Sequence, residues 1–197
     1  MRNALRLFST TVGTLSVAIC IVCASSPVGA QETVPLIPQM VGTWDVAQRM
    51  WPGPNSAPMT LPAAIAQRHL VGNLLLQETM EAVPGSKPPF TRVANFGFNA
   101  VTREYEYFTW DSRAPQMMSE KSRPAIASGN RASDAVALYG GLFLAPQWGQ
   151  MKAMTFRYRF TLGRIHAGRQ TARLYLTPQS GPSRSEFLAM EYVYTKH

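Results

Sequence analysis

The chain has 197 residues, 46% of them hydrophobic and 15% charged, and a formal net charge of +8. That is enough chain and apolar content for one domain with a sizeable core, and no internal repeat or low-complexity tract interrupts it. The positive balance suits an anionic partner such as a cell-surface polymer, a lipid headgroup or an acidic ligand, or serves solubility alone. No recognised nucleic-acid motif accompanies it, which argues against nucleic acid.

Residues 1–30 read as a cleavable secretory signal peptide. Arg2 and Arg6 form a short basic start, Leu7 to Cys23 are largely apolar, and Val28-Gly29-Ala30 places small side chains before a cut after Ala30. Val22-Cys23-Ala24 offers a second cut after Ala24. The apolar run is shorter than the roughly 20 strongly apolar residues a membrane span requires, and hydroxyls dilute it. Cys20 and Cys23 follow Ile19 and Val22 rather than small residues, which argues against lipid attachment. Export to the periplasm or the extracellular space is therefore expected. Cleavage removes two arginines and no acidic residue, so the charge falls from +8 to +6. It also removes both cysteines, and a disulfide-free domain must hold together by its core.

Residues 31–40 carry Pro35 and Pro38 and are expected to form an extended lead-in to a single domain over 41–197. From there the dominant signal is alternation with a period of two, broken by turn residues at short intervals. Strands are expected at Gly42–Met50, Ala63–Leu70, Leu74–Glu81, Thr91–Phe98, Glu104–Trp110, Asp134–Leu144, Met151–Leu162, Gln170–Thr177 and Glu186–Thr195, with a weaker one near Gln116–Lys121. In the clearest, Phe156, Tyr158, Phe160 and Leu162 alternate with Arg157, Arg159 and Thr161. Only a strand separates those two sets onto opposite faces. Tight turns are placed at Val71-Gly72-Asn73 and Asn99-Ala100-Val101-Thr102, and a loop at Ser128-Gly129-Asn130. No long amphipathic helix is present. About ten short strands with short links predict an all-β antiparallel up-and-down barrel, with a sandwich as the alternative, and closure favours the barrel because it removes exposed edges.

Catalytic and metal chemistry find little support. His69, His166 and His197 lack partners at ligand spacing, and Met117, Met118, Met151 and Met154 suit a core better than a copper site. There is no Gly-x-Ser-x-Gly elbow, no phosphate loop, and no clear pair among Glu104, Glu106 and Asp111. No catalytic residue, metal or cofactor is assigned. An enzyme, if one, would use Asp111, Arg113 and His69 at a barrel mouth. A third reading is a structural or interaction module whose basic face meets an anionic surface. A binding barrel accounts best for the aromatic strands. Tyr107, Trp110, Tyr139, Phe156, Tyr158 and Phe160 are the candidate ligand-binding residues for a small apolar or amphipathic molecule. The same rings would equally fill a solid core. Arg157, Arg159 and Arg173 are expected to face outward, because a buried unpaired charge is costly.

Gly42-Thr43-Trp44 has the Gly-x-Trp form found at the start of lipocalins, where the resemblance implies that Trp44 closes one end of the barrel beneath a basic side chain, here Lys196. The wider order of motifs resembles domain-of-unknown-function family 1579. It comprises Gly42-Thr43-Trp44 with Trp51-Pro52-Gly53, Phe96-Gly97-Phe98-Asn99 with Thr102-Arg103-Glu104-Tyr105, Thr109-Trp110-Asp111-Ser112, and Met190 to Lys196. The chain departs from the family in having Phe98-Asn99 after Gly97 where Tyr-Asp is commoner, and Asn73 after Gly72 where Arg is commoner. The resemblance implies a lipocalin-like barrel with Gly42 and Trp44 as structural residues, and implies no activity.

Overall fold

Alternating burial runs along nearly every strand, so one set of side chains faces inward and the other outward, and the sheet has curled until its first and last strands meet. A computed structural model describes residues 36–72, 74–123, 135–181 and 184–197. The predicted leader, Asn73 of the first turn and the predicted loop at 128–130 lie outside these residues.

A one-turn helix, α1 (Leu36–Gln39), precedes ten strands: β1 (Gly42–Met50), β2 (Met59–Val71), β3 (Leu75–Ala82), β4 (Thr91–Asn99), β5 (Glu104–Asp111), β6 (Ala114–Ser122), β7 (Ala135–Trp148), β8 (Met151–Gly163), β9 (Arg169–Pro178) and β10 (Phe187–Lys196). Each pairs antiparallel with its neighbour in sequence, and β1 closes on β10 with Trp44 opposite Lys196 and Met50 opposite Met190. The expected antiparallel up-and-down barrel is the fold observed, and the weak segment at 116–121 is a full strand.

The lead-in differs from expectation. Residues 36–39 are helical rather than extended, because Ile37 and Met40 project from one side of the turn and are both buried. The Met40 amide donates to the Ile37 carbonyl at 3.0 Å, and the Trp44 indole donates to the Met40 carbonyl at 2.9 Å. Burial of two apolar side chains thus overrides the extended bias of a Pro-rich segment. This turn packs at the end of the barrel where β1 starts. There the fully buried Trp44 lies under Lys196, whose ammonium is 5.4 Å from the ring centroid, and under Arg68 at 5.2 Å.

The wall is weakest between β6 and β7. Among the described residues, Glu120–Gly140, Lys121–Tyr139 and Ser122–Leu138 are the pairs there, all near one end. Beyond them the strands share no ladder pair, and the Gln116 side-chain amide reaches the Leu144 carbonyl at 3.3 Å. Pro146, inside β7, lies on this stretch, where a missing N–H breaks no ladder bond to β6. Tyr158 fills the space beside Gly140, and its hydroxyl exchanges hydrogen bonds with the Ser119 backbone, accepting from N–H at 3.1 Å and donating to the carbonyl at 3.2 Å. A Cβ on Gly140 would stand 2.1 Å from the Tyr158 ring. Gly140→Ala is therefore expected to cost about 1–3 kcal/mol by overpacking. Urea unfolding measures this, and an unchanged midpoint would show that the ring moves aside freely.

Outward arginines find outward carboxylates. Arg159 pairs with Glu186 at 2.5 Å and Arg173 with Glu191 at 2.8 Å, while Arg157 is exposed. The expected facing of all three is observed.

Candidate functional site

Inside the barrel, one half is packed solid and the other is hollow. A chamber of about 590 Å³ occupies the end opposite α1. Met50, Leu61, Phe90, Phe143, Leu174 and Met190 supply apolar wall. Its floor is a stacked pair, Tyr107 on Phe160, with ring centroids 4.9 Å apart and planes 9° from parallel. Below that pair a void of about 10 Å³, room for roughly one water, is lined by Arg68, Glu78 and Tyr194 among others.

Charge is concentrated at this floor. Arg68 on β2 and Glu78 on β3 stand directly opposite one another, and Arg92 reaches the same carboxylate from β4. Arg68 Nε donates to Glu78 Oε2 at 2.7 Å and Arg92 Nη1 to Oε1 at 2.6 Å. Arg68 Nη1 also donates to Gln170 Oε1 at 2.6 Å, and Arg92 Nη2 donates to the Tyr107 hydroxyl. All of these groups are buried. Burial alone would push the Glu78 carboxyl up, but the two guanidiniums outweigh it and hold it below the usual carboxylate range. Burial likewise opposes the charge on Arg92, and its anionic and phenolic neighbours overcome this and raise its pKa well above the ordinary value. Burial raises the pKa of Tyr107 and of Tyr192, so both hydroxyls stay protonated.

Glu120 is the exception to this pairing. It lines the chamber from β6, it is 2% exposed, and its Oε2 has no hydrogen-bond partner. Burial pushes its carboxyl up to about 8, against the pull of Arg92. At the mouth Asp111 and Arg113 form a bidentate pair, at 2.9 and 2.7 Å, and the Arg113 guanidinium lies 3.7 Å from the Phe90 ring centroid. Burial would raise Asp111, but hydrogen bonds and charge from Arg113 hold it below the ordinary carboxylate value.

The six aromatic residues expected at a ligand site divide three ways. Tyr107 and Phe160 line the chamber together. Phe156 and Tyr158 are buried in a separate apolar cluster with Phe143, Leu176 and Phe187. Trp110 and Tyr139 face outward, 40% and 42% exposed. The polar trio considered for catalysis does not converge. Asp111 and Arg113 meet at the mouth, whereas His69 is exposed on β2 opposite Gln77, toward the α1 end. Arg68, Glu78, Arg92 and Glu120 were not among the expected site residues, although each sits at an inward-facing strand position.

Fold and chamber together define a closed β-barrel with an internal cavity. Residues 31–130 match the family described as a protein of unknown function (DUF1579), and the chain belongs to that family. The match spans β1 to β6 and so includes Arg68, Glu78, Arg92 and Glu120, while the closing-strand residues Met190–Lys196 lie beyond it. No curated protein matches the chain.

Proposed function

We propose that this protein binds one small amphipathic molecule in the chamber, as an exported carrier or sensor. The observation that carries the reading is the chamber itself, about 590 Å³ of space with largely apolar walls above a buried polar floor. That volume lies within the range of small-molecule sites, and such sites combine an apolar lining with a few fixed polar groups. The barrel's solid half supplies rigidity, and its hollow half offers little packing among its own side chains. Export is supported by the leader-like residues 1–30, and the family match begins immediately after them.

Titration with a solvatochromic amphipathic probe such as 1-anilinonaphthalene-8-sulfonate tests the reading, together with mass spectrometry of an organic extract of the purified protein. Saturable binding at one site is expected. Ala145, buried on the chamber wall, provides the control. Ala145→Phe projects a ring into the space and is expected to weaken the probe at least about tenfold, the equivalent of some 1.4 kcal/mol. Absence of saturable binding, or unchanged affinity in the variant, would remove the chamber as the site.

A further inference from the structure

We propose that the chamber selects an amphipathic monocarboxylate, whose head seats at the floor between Arg92 and the carboxylic acid of Glu120 while its tail lies along the apolar wall. This rests on the ligand-binding reading above and assigns the chemistry of its head group.

Two guanidiniums, Arg68 and Arg92, share the single carboxylate of Glu78 at the floor. Glu120 does not join that cluster by any hydrogen bond, and its buried Oε2 is left without a partner. A buried polar oxygen with no partner is costly, and it is a recurrent mark of a place where another molecule supplies the contact. Kept protonated by burial, Glu120 adds no charge, so the floor carries one positive charge in excess. A carboxylate head neutralises that charge, accepts from the Arg92 guanidinium and accepts from the Glu120 O–H. Both contacts are charge-assisted, which makes them shorter and stronger than neutral ones. An ammonium head would meet the buried guanidinium of Arg92, and a hydroxyl head would leave the excess charge uncompensated.

The surroundings of Glu120 support its role as a donor. On β5 the residue opposite is Tyr107, whose hydroxyl is already engaged by Arg92. On β7 the residue opposite is Gly140, which presents no side chain. From β8, Tyr158 lies within electrostatic reach of Glu120, which helps to raise the pKa of its phenol, while its hydroxyl is committed to the Ser119 backbone. Phe160 of the same strand is apolar, and Tyr192 of β10 lines the chamber with its phenol protonated. The charged group acting on Glu120 is Arg92 from β4, and Glu78 of β3 is held by the two arginines. Nothing in this shell competes for the proton of Glu120 below pH about 8.

Three probes with one tail and different heads decide it: dodecanoate, dodecanol and dodecylamine, each measured below its micellar concentration by displacement of the bound probe. At pH 7, dodecanoate is expected to bind at least about tenfold more tightly than the other two. Between pH 7 and pH 9 its affinity should fall about tenfold as Glu120 ionises, while that of dodecanol stays level. In Glu120→Gln, which keeps a donor without the ionisation, the fall with pH should vanish. Equal affinity for the three heads, or preference for the amine, would overturn the head-group assignment and leave the chamber as a ligand site. Failure of all three to bind, alongside failure of the fluorescent probe, would overturn both. A pH fall that persists in Glu120→Gln would overturn the assignment of the proton to that residue.

Discussion

Replacing Glu78 with glutamine is expected to lower the stability of the barrel by about 3–5 kcal/mol, the penalty for leaving buried charge uncompensated. The substitution preserves shape and leaves hydrogen-bonding atoms in place, but it strands Arg68 and Arg92, whose side chains are 2% and 5% exposed. For a domain of this size such a loss is a large part of the total. Equilibrium urea unfolding measures it directly. The complementary experiment is the triple variant Arg68→Met, Glu78→Leu, Arg92→Met, which removes the charges together. A buried ionic cluster exchanged for apolar groups of similar volume is often neutral or stabilising, so this variant should recover most of the loss. A single variant as stable as the native chain would show that water reaches the cluster and solvates the stranded arginines.

The second large effect is a stability profile that tilts toward acid. The folded Glu120 carboxyl titrates near 8 instead of 4.5, so the native state holds a proton that the unfolded chain has released. Stability contributed by that proton is complete below pH about 4.5 and drains away as the pH rises toward 8. Glu78 acts with the opposite sign. Its folded value lies below the unfolded one, so its contribution is present above pH 4.5 and is lost as the pH falls through the folded value. The two limbs meet at the ordinary glutamate value, so maximal stability is predicted well on the acid side of neutrality, near pH 4.5. Glu120→Gln should abolish the alkaline limb and gain roughly 3 kcal/mol at pH 8, with little change at pH 5. Urea midpoints at the two pH values check this, and an identical decline in the variant would place the titrating group elsewhere.

Much of the fold is legible from alternation alone. Phe156, Tyr158, Phe160 and Leu162 are all buried and Arg157 is exposed, as a period of two requires. Gly42-Thr43-Trp44 marks the start of β1 and places the indole that the cap packs against. The site is less legible, for a physical reason. In Leu76-Gln77-Glu78-Thr79-Met80 and in Arg92-Val93-Ala94-Asn95-Phe96, the charged residue shares the inward parity of its apolar neighbours, so the signal is present. The cost of burying charge argues for discounting it. What offsets that cost is pairing between strands, with the β2–β3 hairpin register bringing Arg68 opposite Glu78 and Arg92 reaching the same carboxylate from β4, and no single strand displays it. Aromatic content was a coarser guide. It includes Tyr107 and Phe160 at the floor, but also Trp110 and Tyr139 on the outer surface, since Tyr107 and Trp110 stand on opposite faces of β5. In the lead-in, the extended expectation rested on two prolines, whereas burial of Ile37 and Met40 makes residues 36–39 helical.

The incomplete ladder between β6 and β7 has a consequence for how the barrel breathes. Opening a wall elsewhere means breaking a ladder of five or more register pairs, five between β5 and β6 and seven between β1 and β10, whereas here three join the described residues. Beyond those three, a side-chain amide and a proline ring stand where backbone bonds would be. Local opening follows the cheapest seam, so thermal fluctuation parts these two strands before any others. Gln116, Met118 and Leu144 border both this seam and the chamber, and Glu120 is the first paired residue at its end. The residue at which the open stretch of wall begins and the one whose buried carboxyl oxygen is unpartnered are therefore the same.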